Sequence, residues 1–115
     1  MGEYILNEKY ENQSVEEIFK ELLDFCKSKP KYATLSGNKK HQIKEISNDR
    51  IFVERLEANN IPILTFGEIK SVIKLFKDDK IINTSNSEYR SLLTKVVNKT
   101  PLLSLLKTAN IIVDY

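Results

Sequence analysis

The chain has 115 residues, 41% hydrophobic and 30% charged, with eighteen Lys and Arg against sixteen Asp and Glu. A chain of this size is expected to fold as a single domain, residues 1–115, around one core. No apolar run approaches the ~20 residues of a membrane span, so no membrane partner is expected.

The formal net charge of +2 hides a polarised chain. Residues 1–24 carry seven acids against Lys9 and Lys20, whereas Phe25 to Lys44 contains six lysines, the sole histidine and no acid. Local rather than total charge steers encounter, so this pattern points to an anionic partner. The single cysteine, Cys26, excludes an internal disulfide and fits a reducing, cytoplasmic setting. Met1–Asn12 lacks the pattern of a secretory signal, and Leu6 breaks the myristoylation pattern that Gly2 begins.

Residues 1–13 read as a flexible N-terminal segment. Ser14-Val15-Glu16-Glu17 then forms a capping box, with Ser14 as N-cap. Val15, Ile18, Phe19, Leu22 and Cys26 recur at helical spacing until Pro30 stops the helix. A small antiparallel meander of three to four strands follows. Its strands are Tyr32–Leu35, His41–Ile46, Arg50–Leu56 and Ile61–Leu64. Ser36-Gly37-Asn38, Ser47-Asn48-Asp49 and Ala58-Asn59-Asn60 supply the turns. Ile43 and Ile46 do not share a two-residue period, which calls for a bulge. Pro62 puts the last strand at an edge or a bulge.

Thr65-Phe66-Gly67-Glu68 and Ser85-Asn86-Ser87-Glu88 repeat the capping-box pattern and open two more helices. The first buries Phe66, Ile69, Val72, Ile73 and Phe76. The second carries Tyr89, Leu92, Leu93, Val96 and Val97 inward. Thr100-Pro101 reads as an N-cap with proline at the first helical position. The helix it opens is rich in leucine, from Leu102 to Leu106, and therefore expected to be buried; Asn110 closes it. Ile111–Val113 makes a short terminal strand. The fold class is α+β: an N-terminal helix, a small antiparallel sheet, three C-terminal helices and a terminal strand. The expected core is Ile18, Phe19, Leu22, Phe52, Ile63, Phe66, Ile73, Phe76, Leu93, Leu103 and Leu106.

Two basic groups are candidate nucleic-acid contacts. Lys39, Lys40 and His41, with Lys44, lie on a hairpin whose tip is expected to reach toward a groove. Lys70, Lys74 and Lys77 form one stripe of a helix. Arg90 is one of only three arginines, and bidentate reading of bases favours Arg over Lys. Fifteen lysines against three arginines point to grip on phosphates without choice of sequence. The same stripe also has a plain explanation, since lysines near a helix C-terminus complement its dipole.

Catalytic constellations are thin. Asp49 followed by Glu68-Ile69-Lys70 imitates the spacing of metal-dependent nucleases, but Glu68 is better explained as the third residue of a capped helix. One His and one Cys cannot make a zinc site, and three glycines supply no phosphate loop. Three helices and a strand invite comparison with a winged helix-turn-helix, but the Pro101–Ala109 helix lacks the polar face that groove reading needs. No enzyme activity, metal or cofactor is expected.

The run Ser36-Gly37-Asn38-Lys39-Lys40 through Ile51-Phe52-Val53 leads to Leu64-Thr65-Phe66 and the lysine-bearing helix. Arg90 through Leu102-Leu103-Ser104-Leu105-Leu106 closes the pattern. From about Ala33 to Ala109 this resembles accessory modules of restriction and defence proteins in spacing and hydrophobic pattern. The resemblance implies a DNA-associated targeting or scaffolding domain and carries no catalytic residue. The competing reading is a protein-interaction or inhibitor module, free-standing or part of a larger chain, whose acidic first helix or partner covers the basic face.

Overall fold

A computed structural model describes residues 2–35, 37, 39–56 and 61–115. It is an α+β fold, with helices on one side of an antiparallel sheet. The elements run β1 (Tyr4–Leu6), α1 (Val15–Cys26), β2 (Lys31–Ala33), β3 (Lys40–Ile46), β4 (Arg50–Arg55), β5 (Ile63–Thr65), α2 (Phe66–Lys77), α3 (Ser87–Ser91), α4 (Lys99–Thr108) and β6 (Ile112–Asp114). Short 3₁₀ turns cover Glu8–Tyr10 and Val96–Asn98.

The meander is a four-stranded sheet in the order β2-β3-β4-β5, every pair antiparallel. The register shifts between Ile43 and Glu45, which is the bulge that the mismatched isoleucine spacing calls for. β5 is an edge strand, as Pro62 requires. Of the turns read from sequence, Ala58-Asn59-Asn60 and both Ser36 and Asn38 lie outside the described residues.

Alternation along the strands sorts the side chains by face. Tyr32, Ile43, Ile51, Val53 and Leu64 are buried and face the helices. Their neighbours Lys31, Lys40, Glu45 and Ile63 are exposed. Ile18, Leu22, Ile73, Phe76, Leu103 and Leu106 complete the core from the helical side. The Phe19 and Phe66 rings meet edge to face at 4.9 Å where α1 crosses α2. Two expected core residues depart from this. Ile63 is 37% exposed because its register partner Phe52, itself only half-buried, lies on the open face.

Local signals hold well at two helix starts. Ser14 and Thr65 each close a complete capping box, with Glu17 and Glu68 reaching back to the N-cap backbone. At the third, the cap is Asn86 rather than Ser85. Asn86 accepts from the Tyr89 N–H, and the helix ends at Ser91. Val96 and Val97 therefore fall beyond it, 51% and 53% exposed, instead of facing inward. α4 begins at Lys99, so Thr100 and Pro101 lie inside its first turn instead of capping it. Asn110 terminates α4 with a positive φ of 62°, and the Ile111 N–H returns to the Leu106 carbonyl.

The largest departure is at the N-terminus. Residues 1–13 read as flexible, yet β1 pairs with β6 in a two-stranded sheet. Tyr4 also exchanges backbone bonds with Ile82, at 2.9 and 3.0 Å. Asn7 ties the two chain ends again, its Nδ2 donating to the Asn110 carbonyl at 2.9 Å.

Candidate functional site

The basic ribbon of β2 and β3 presents Lys29, Lys31, Lys39, Lys40 and Lys44 to solvent. None of them forms an ion pair among the described residues. Lys44 is the bulge residue, exposed and without a register partner on β4. Lys29 and Lys31 belong to the acid-free stretch but were not among the expected contacts; their signal was that stretch itself.

His41 does not join them. It is opposite Tyr32 in the β2–β3 register and only 2% exposed. The two rings lie 5.3 Å apart. Burial pushes the imidazole below its ordinary value of 6.5, and the charges of Arg55 and Lys39 add to the effect. Lys39-Lys40-His41 is continuous in sequence, but a strand sends alternate side chains to opposite faces.

The α2 stripe is occupied within the molecule. Lys70 pairs with Glu16 at 3.2 Å and lies over the Phe19 ring at 4.9 Å. Lys74 pairs with Asp78 at 3.4 Å. Lys77 donates to the carbonyls of Glu11 and Gln13 ahead of α1. Glu16 of α1 and Lys70 of α2 thus meet where the two helices pack, while Lys74 is engaged at the end of its own helix. Arg90 is spent locally, its Nε donating to the Thr84 carbonyl at 2.8 Å.

Glu68 is 4% exposed and sits at the centre of a polar cluster. Its Oε2 accepts from the Thr65 N–H at 2.8 Å, the Thr65 hydroxyl at 2.9 Å and the Thr94 hydroxyl at 3.0 Å. Its Oε1 accepts from the Thr94 N–H at 3.1 Å and Asn98 Nδ2 at 3.2 Å. Both oxygens are therefore filled by protein donors. Asp49 turns instead to Arg50, at 3.0 and 3.2 Å, and Lys70 to Glu16, so the nuclease-like spacing does not converge. Among the described residues no group of three or more His, Cys, Asp or Glu is placed to hold a metal ion.

This cluster also finishes the sheet. The Val53 N–H bonds to the Pro62 carbonyl and the Phe66 N–H to the Asp49 carbonyl. Alternation then turns the backbone of Ile63 and Thr65 toward the open edge of β5. Asn98 Nδ2 covers the Ile63 carbonyl at 2.9 Å, and Glu68 covers the Thr65 N–H. Side chains thereby blunt an edge that would otherwise template further strands. Thr94 and Asn98 are not among the candidates read from sequence, where no motif marks them.

Beside the cluster is a depression of about 410 Å³, lined by Arg50, Ile61, Ile63, Thr94, Lys95 and Val97 among others. Ile61, Ile63 and Val97 are 42%, 37% and 53% exposed. The leucine-rich α4 is core, as its composition predicts: Leu102 to Leu106, and Ile111 and Ile112 after it, are all buried. Cys26 is buried too, and burial pushes its thiol up to about 12. No helix among the described residues is long and apolar enough to cross a membrane.

Comparison with protein-family models, with curated proteins and with solved structures finds no match.

Proposed function

We propose that the chain is a non-enzymatic binding module that grips nucleic-acid phosphates through its β2–β3 ribbon. The observation that carries this reading is the set of lysines without a counter-ion among the described residues: Lys29, Lys31, Lys39, Lys40 and Lys44 on one two-stranded ribbon and its approach. Uncompensated lysines attract a phosphate chain and release its counterions. Lys70, Lys74 and Lys77 contribute less, because each is held by an internal acid or carbonyl. Arg90 and the buried His41 are not contacts in this reading. Lysine is a point charge with rotatable donors, so binding is independent of base sequence. The resemblance of the Ala33–Ala109 pattern to accessory modules of restriction and defence proteins points the same way.

The test is a salt series of binding to random duplex and single-stranded DNA. Affinity is expected on the order of 10⁻⁴–10⁻⁶ M at physiological salt, falling steeply as salt rises. The Lys39→Glu, Lys40→Glu pair should weaken it for all sequences and lower the salt slope by ~1 for each phosphate no longer neutralised. The Lys70→Glu, Lys74→Glu pair should weaken it far less. Absence of binding at low salt, or equal weakening by both pairs, refutes the assignment to the ribbon.

A further inference from the structure

We propose that the depression beside β5 is a docking groove for an acidic, aliphatic peptide segment of a protein partner. It is separate from the lysine ribbon and rests on different observations.

The first is the apolar lining. Ile61, Ile63 and Val97 converge on one concavity while remaining substantially exposed, and Val96 beside them is exposed as well. Scattered apolar side chains on a surface mean little, but a group gathered in a hollow with a polar rim is the form of an interaction site. The volume, about 410 Å³, suits one or two aliphatic side chains with their backbone.

The second is charge. Among the described residues the lining holds Arg50 and Lys95 and no acid. Arg50 is engaged by Asp49, whereas Lys95 forms no ion pair among the described residues. Such a rim complements a carboxylate and rejects a basic segment.

The third is an unsatisfied acceptor. Asn98, 1% exposed, also lines the depression. Its Nδ2 is directed to Ile63 O, Glu68 Oε1 and the Thr94 hydroxyl, which fixes the orientation of the amide. Its Oδ1 is buried with no hydrogen-bond partner among the described residues. Buried acceptors are rarely left so. A peptide N–H is the donor that a polypeptide ligand brings, and phosphate chains offer none. Glu68 and Asn98 already cover the outward backbone of β5, so the ligand lies across the groove by its side chains and does not extend the sheet.

The probe is a displayed library of random heptapeptides, selected against the folded chain. Enriched sequences are expected to combine Leu, Ile or Val with Asp or Glu. A synthetic peptide of the enriched sequence should then shift the amide resonances of Ile63, Lys95, Val97 and Asn98 in a heteronuclear spectrum. Val97→Asp and Lys95→Glu, both exposed positions, should each weaken that peptide by roughly tenfold or more while the rest of the spectrum stays in place. Failure to enrich any sequence, enrichment of basic ones, or shifts confined to the β2–β3 lysines would overturn the proposal. So would groove shifts that grow with protein concentration alone, which would assign the groove to a second copy of the chain. Duplex DNA should leave the groove resonances unmoved; if it moves them, the groove is part of the phosphate surface and the peptide reading fails.

Discussion

Replacing Glu68 by alanine removes the acceptor for five donors at once. Four belong to groups that water can reach after the change, because Thr65 is half-buried and Thr94 exposed. Summing five charge-assisted bonds would therefore overstate the loss. The capping interaction with Thr65 contributes about 1 kcal/mol. Leaving Asn98 Nδ2 with one partner fewer, and freeing the Thr94 turn, adds about 1–3 kcal/mol. The expected cost is thus about 2–4 kcal/mol, or a fall in melting temperature on the order of 10 °C for a chain of this size. Urea unfolding followed by circular dichroism measures it, and hydrogen exchange at the Thr94 amide reports the local opening. Glu68→Gln keeps the shape but turns an N–H₂ toward the same donors, so it should also destabilise. Glu17→Ala in the exposed box of α1 is the control, expected to cost only about 1 kcal/mol. If Glu68→Gln is as stable as the parent, or if Glu68→Ala costs no more than Glu17→Ala, the cluster does not hold the turn to the sheet edge.

Leu106, fully buried in α4, should cost ~2–5 kcal/mol on truncation to alanine, and a thermal shift near zero would make α4 peripheral. His41 is held neutral by burial, so its folded value lies below the ordinary 6.5. Above that pH the imidazole is neutral whether the chain is folded or not; below it only the unfolded chain takes the proton readily, and stability should fall. Unfolding at pH 7 and pH 5.5 checks this, and His41→Phe should flatten the difference; an unchanged slope would refute it. Asn86→Ala should lose about 1 kcal/mol of stability, while Ser85→Ala should lose almost none, because Asn86 makes the cap of α3. Equal effects in denaturant titration would contradict that assignment.

The sequence by itself determined the features whose partners lie within one turn of chain. Ser14 with Glu17 and Thr65 with Glu68 meet because a helix start brings a residue and its third successor together, whatever surrounds them. The bulge near Lys44 and the edge position of Pro62 follow from side-chain period and from a missing N–H, both local properties. Tertiary structure decided the rest. β1 is three residues long, too short to display a period, and its strand partner β6 lies at the other end of the chain. Lys70 and Lys77 read as part of an open stripe until packing sets α1 against α2, where Glu16 and the carbonyls of Glu11 and Gln13 engage them, whereas Lys74 meets Asp78 at the end of its own helix. His41 reads as part of a basic run until cross-strand register sends it inward beside Tyr32. Glu68 is legible as a cap, but its bonds to Thr94 and Asn98 join residues about thirty positions apart. Such contacts form only after the core has closed the intervening loops and excluded water from donors that would otherwise bond to solvent.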